Sequence, residues 1–140
     1  MKCNNLPKMD LLSKSDPFVA LYVKNEDTDE FKFHDQTEVI MNNHDPDFSK
    51  EFVLDHFDKM PLQLAFKVYD SDDKNGQMKN DKDFIGQYFI STEVLAKRVH
   101  NAIIGQLVDI KMTAKRPVCN IVLTSSLMNE VLEEVKQYFL

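Results

Sequence analysis

Residues 61–69, PLQLAFKVY, set Leu62, Leu64, Phe66 and Val68 on one side and Gln63 and Lys67 on the other. A period of two marks a strand with one buried face. Similar short segments recur along the chain: PFVALYV at 17–23, FKFHDQTEVIM at 31–41 with a break near His34–Gln36, and SKEFVLDHF at 49–57, where Phe52 and Leu54 alternate with polar neighbours. FIGQYFI at 84–90, QLVDIKM at 106–112 and CNIVLTS at 119–125 complete the set. Turn-rich breaks separate them: LLSKSDP, NNHDPDFS and DSDDKNGQMKNDKD. Short strands at this spacing predict an all-β antiparallel β-sandwich.

Two stretches read as helices. STEVLAKRVHNAII, residues 91–104, carries Val94, Leu95, Val99 and Ile103 near helical spacing. NEVLEEVKQYFL places Val131, Leu132, Val135 and Phe139 on one face, with its acidic residues early, as suits a helix N-terminus. The expected organisation is a sandwich domain over 1–126 and a C-terminal helix over 127–140.

Composition excludes several classes. The chain has 140 residues, the size of one domain, and 43% of them are apolar, enough for one core. No apolar run reaches the ~18 residues that a spanning helix needs, and the N-terminus lacks the apolar region of a signal peptide. Cys3 and Cys119 make no metal-type spacing and read as buried thiols in a reducing cytosol. The net charge of −6 argues against a nucleic-acid partner, and against simple electrostatic adhesion to an anionic membrane. A negative partner requires this chain to change its own sign first.

The aspartates suggest how. Asp10 and Asp16 flank one turn. Asp70, Asp72, Asp73, Asp81 and Asp83 crowd the loop after the clearest strand. If the fold brings these loops to one end, about five carboxylates converge, and like charges a few Å apart repel by several kcal/mol at intermediate dielectric. A hard cation removes that repulsion. Calcium takes six to eight oxygens in loose geometry and suits aspartates on irregular loops better than magnesium does. An EF-hand does not fit. Counting from Asp70, positions 5, 6 and 12 are Lys74, Asn75 and Asp81, and the segment entering the loop is a strand. Two loops must therefore cooperate.

Here the chain resembles the C2 domains, and among them those of the copine type. The resemblance is carried by Asn5-Leu6-Pro7-Lys8-Met9-Asp10, Ser13-Lys14-Ser15-Asp16-Pro17-Phe18 and Thr37-Glu38-Val39-Ile40. Phe52-Val53-Leu54-Asp55, Val68-Tyr69-Asp70-Ser71-Asp72 and Asp83-Phe84-Ile85-Gly86 extend it. It runs over roughly residues 3–95. The fold expected is an antiparallel eight-stranded Greek-key β-sandwich with a short helix between late strands and the C-terminal helix. The resemblance implies a calcium site in which Asp10 and Asp16 serve from the first loop, Asp70 and Asp72 leave the strand as a pair, and Asp83 bridges or completes the second ion. Met9 and Ser71 would add backbone carbonyls, and Asn80 stands where many relatives have a serine ligand. Three departures stand out. The strand leading into Leu6-Pro7 is short. The usual Asn-Pro-x-Trp turn is Asp45-Pro46-Asp47-Phe48. Copines continue into a second copy and a von Willebrand A-type domain, for which this chain has no room, so it reads as a fragment or a single-domain protein.

The function expected is calcium-dependent binding of anionic phospholipid membranes by a cytoplasmic protein that becomes peripheral when calcium rises. Leu11, Leu12 and Met78 are the expected interface residues, and Lys14, Lys74 and Lys79 would meet headgroups. The competing expectation is a protein–protein interaction module whose calcium binding is structural or vestigial. An enzyme is not expected. His34, His44, His56 and His100 are scattered, and no nucleophile or phosphate-cradling motif is present.

Overall fold

The longest ladder in the protein joins β2 (Pro17–Lys24) to β4 (Gln63–Asp70), in register from Pro17 opposite Asp70 to Lys24 opposite Gln63. The computed structural model of the chain describes residues 1–7, 16–25, 27–54, 61–71, 84–110 and 118–126. β3 (Lys32–Gln36) and β5 (Phe84–Ser91) flank the central pair, giving a four-stranded antiparallel sheet in the order β3-β2-β4-β5. Beyond the short helix α1 (Thr92–Lys97), β6 (Ile103–Gln106) and β7 (Asn120–Leu123) join β1 (Lys2–Asn4) in a second sheet, ordered β1-β7-β6.

The core lies between the sheets. Val19, Leu21, Leu64, Phe66, Val68 and Ile90 meet Cys3, Ile121 and Leu123 there. Alternation along β4 holds as expected, with Leu62 packing at its entrance. On the opposite face the Lys67 ammonium lies 4.6 Å over the Tyr22 ring, which keeps the charge wet while its stem covers apolar surface. Phe48 is buried and plugs the core.

The departure at Asp45 has a physical reading. Asn5, in the left-handed region at φ 59°, donates its N–H to Asp45 Oδ1 at 2.7 Å. A carboxylate oxygen accepts that bond as an amide oxygen would, so the turn survives the exchange. Cys3 and Cys119 are buried free thiols. Burial, with Cys119 nearby, pushes the Cys3 thiol up to about 12. Burial raises Cys119 as well, and its Sγ lies 3.0 Å from the Asn5 carbonyl.

Several expectations require correction. Seven strands are found among the described residues, not eight. Ser49 to Leu54 form no strand. The N–H groups of Ser49 and Lys50 donate instead to the Glu38 carboxylate, at 2.8 and 3.2 Å. Phe52 and Leu54 still pack on the core, so their alternation records facing without a ladder. The break read near His34–Gln36 is present as a register shift: Asp35 pairs with Leu21 and Phe33 with Tyr22, His34 is skipped, and β3 ends at Gln36. Gln106 ends β6, so the strand read at 106–112 is displaced to 103–106, and Val108 makes only an isolated bridge to Gln87.

The helix read at 91–104 stops at Lys97. Ser91 starts it by accepting the Val94 N–H at 3.2 Å. The Arg98 N–H bonds to the Leu95 carbonyl, His100 turns left-handed at φ 66°, and Ile103 opens β6 opposite Leu123. The apparent helical spacing therefore joined a helix to a strand. The C-terminal helix expected at 127–140 lies outside the described residues.

Candidate metal centre

The β2–β4 register determines where the acids go. Because Pro17 faces Asp70, the start of one strand and the end of the other reach the same end of the sandwich. Asp16 donates its N–H to Asp70 Oδ1 at 2.8 Å. Ser71 donates its N–H to the Asp16 carbonyl at 2.9 Å, which carries the pairing one step past the ladder. Asp70 and Ser71 are each 7% exposed, and Asp16 is half-buried.

A third segment supports this pair. Thr37 reciprocates with Val19: its N–H donates to the Val19 carbonyl at 2.8 Å, and its hydroxyl accepts the Val19 N–H at 2.9 Å. Ile40 then donates to the Pro17 carbonyl at 3.0 Å. Asn42, left-handed at φ 51°, donates its N–H to Asp16 Oδ1 at 2.7 Å. Asparagine tolerates that conformation better than most residues. The motif Thr37-Glu38-Val39-Ile40 thus straps a turn against the start of β2. Sequence reasoning missed Asn42 because it acts through its main chain, which no side-chain pattern reports. The paired asparagines at 42–43 were the available turn signal.

Beneath the acids, Phe18 stacks on Tyr69 with ring centres 5.6 Å apart, and Tyr69 meets Phe84 edge-on at 5.5 Å. This aromatic row links the start of β2, the end of β4 and the start of β5. Gly86 accounts for the rest of the Phe84-Ile85-Gly86 motif. A Cβ there would come within 3.2 Å of Ile110 Cγ1 and of the Val108 carbonyl.

The chemistry available is hard-oxygen chemistry. Backbone N–H groups help to orient both carboxylates, the Asp16 N–H on Asp70 and the Asn42 N–H on Asp16, and a carboxylate offers about four acceptor positions. Asp16, Asp70 and the Ser71 backbone fit the oxygen donor set that calcium uses. Met9, Asp10, Leu11, Leu12, Lys14, Asp72, Met78, Asn80 and Asp83 lie outside the described residues. Among the described residues, no group of three or more His, Cys, Asp or Glu gathers as for a metal. At the far end of the sheet a recess of about 230 Å³ is lined by Val23, Lys32, His34 and Leu62 among others, with no acid among the described residues that line it.

A sandwich with paired acids where strands of its larger sheet end is a recognisable class. Residues 1–105 match the model of the C2 domain family, and the chain belongs to that family. Its relatives include copines. It is 33% identical over 109 residues to Copine-B of Dictyostelium discoideum, covering 76% of this chain and 20% of that protein. Copine-A of the same organism is 33% identical over 117 residues, covering 82% of this chain and 17% of that protein. Nicotinic receptor-associated protein 1 of Caenorhabditis elegans is 34% identical over 104 residues, 63% of this chain and 16% of that protein. The chain thus spans between about a sixth and a fifth of the length of these relatives. A C2 domain of plant Extended Synaptotagmin 1, the one designated A, shares the fold with a TM-score of 0.61 at 22% identity, over 86% of this chain and 83% of that one. A structure described as BON1-C2B matches with a TM-score of 0.51 at 26% identity, over 87% and 78%.

Proposed function

We propose that this chain is a binding module that attaches to anionic phospholipid membranes when calcium occupies the Asp16–Asp70 end of the sandwich. One observation carries the reading. Two aspartates 54 positions apart in sequence meet there, joined by the 2.8 Å bond from the Asp16 N–H to Asp70 Oδ1. Bound calcium would supply positive charge and open coordination positions for lipid oxygens.

The protein's part is to hold oxygen donors in place. Asp16 and Asp70 do so from strand ends, and Asp10, Asp72 and Asp83 join them in this reading, with the Met9 and Ser71 carbonyls and Asn80. Without the metal, those acids and the net charge of −6 repel an anionic surface. Leu11, Leu12, Lys14 and Met78 are the proposed membrane contacts from the flanking loops. No helix among the described residues is long and apolar enough to cross a membrane, so attachment in this reading is peripheral.

Co-sedimentation with phosphatidylserine-containing vesicles tests the proposal. Pelleting with calcium that is reversed by chelator is expected. Pelleting that ignores calcium, or no pelleting at all, overturns it.

A further inference from the structure

The turn at Met41–Asn42 stands directly beside the acid pair. Both its sides are pinned to the start of β2, by the Ile40 N–H on the Pro17 carbonyl and by the Asn42 N–H on Asp16 Oδ1. Met41 lies between these anchors. Ile40 packs against the core, but Met41 is 55% exposed. A single exposed apolar residue needs no explanation by itself. This one is held one residue from a bond to the carboxylate proposed to bind calcium, on a turn hydrogen-bonded to the start of β2 on both sides.

We propose that Met41 is a membrane-inserting side chain of the calcium-dependent surface, entering the bilayer beside the metal that Asp16 holds. The inference rests on the calcium-dependent membrane reading and adds a third contact segment to it. Methionine suits the role: it is unbranched and polarizable, and adapts to an irregular apolar surround. The acids nearest along the chain are engaged elsewhere: Glu38 accepts the Ser49 and Lys50 N–H groups, and Asp45 accepts the Asn5 N–H. Asn42 and Asn43 flank the thioether with uncharged polar groups suited to the headgroup layer.

The experiment compares wild type, Met41→Gln and Met41→Leu, each as the full chain. Calcium affinity is measured by calorimetry without lipid. Vesicle affinity is measured by co-sedimentation with phosphatidylserine–phosphatidylcholine vesicles at saturating calcium. Met41→Gln should lose roughly three- to tenfold in vesicle affinity, the scale of burying about half a methionine side chain. Its calcium affinity should not change, and Met41→Leu should bind vesicles within about twofold of wild type. Unchanged vesicle binding by Met41→Gln, with wild type pelleting normally, overturns this inference and leaves the parent reading standing. Loss of lipid-free calcium affinity in Met41→Gln also overturns it, because Met41 would then support the metal loop. If wild type itself does not pellet with calcium, the parent reading falls and this one with it.

Discussion

Replacing Asp70 separates its structural duty from its proposed metal duty. Asp70→Asn keeps an oxygen that accepts the Asp16 N–H, whereas Asp70→Ala removes it and leaves a part-buried donor unpaired. That omission costs about 1–3 kcal/mol, or roughly 3–9 °C at about 3 °C per kcal/mol for a chain of this size. Asp70→Asn should unfold near the wild-type temperature in chelator, since it retains the bond and sheds one like charge. Calcium changes the comparison. At a concentration a hundred times the dissociation constant, calcium adds about 2.7 kcal/mol to wild type, near 8 °C. Removing one full charge from contact with a doubly charged ion costs about 2 kcal/mol even at the dielectric of water, which is about a 30-fold loss of affinity. The ratio of calcium to dissociation constant then falls to about 3, and the stabilisation to about 0.8 kcal/mol, near 2 °C. Thermal unfolding by circular dichroism, with calcium and with chelator, reads all three proteins. A calcium-induced rise in Asp70→Asn equal to that of wild type refutes the ligand role of Asp70. A wild type indifferent to calcium refutes the metal reading altogether.

Two further outcomes concern the scaffold. The buried Cys3 thiol titrates near 12, against 9.0 for an ordinary cysteine. Above pH ~9 the unfolded chain therefore loses a proton that the folded chain keeps. Stability present below that pH should fall by up to ~1.4 kcal/mol per pH unit as pH rises toward 12. Cys119 is shifted the same way. Urea midpoints at pH 8 and 10 measure this for wild type against Cys3→Ala, and an equal decline in both removes Cys3 as the cause. Gly105→Ala places a methyl into the Tyr88 ring and should cost about 1–3 kcal/mol through forced repacking. A denaturant midpoint unchanged in that variant contradicts the close approach.

β4 was legible because its alternating side chains state which face is buried, and β2 and β5 because short apolar, aromatic-rich runs stand between turn-rich breaks. The segment at 49–54 was not, because alternation reports facing and says nothing of where the backbone bonds go. There they go to the Glu38 carboxylate. The stop of α1 was hidden for another reason. No glycine or proline marks it, and His100 takes the left-handed position in their place. Ser91, by contrast, was a readable cap. In the candidate site, Asp16 and Asp70 were legible as residue types. Their meeting depends on an antiparallel register that no local window contains. Asn42 was invisible because every residue but proline carries its N–H.

The β1–β7 pairing also gives the domain a mechanical character. Lys2 sits opposite Val122 and Asn4 opposite Asn120, so the chain enters at residue 2 and leaves past residue 123 at the same end of this ribbon. Tension drawn between those two points pulls the strands apart sideways and loads their bonds one after another rather than together. The second sheet therefore peels like a zipper, while the β2–β4 ladder, remote from both attachment points in sequence, stays unstrained. Within a longer polypeptide, such a unit hangs from the chain like a side pendant. Pulling on its tethers opens the sheet opposite the acid pair first.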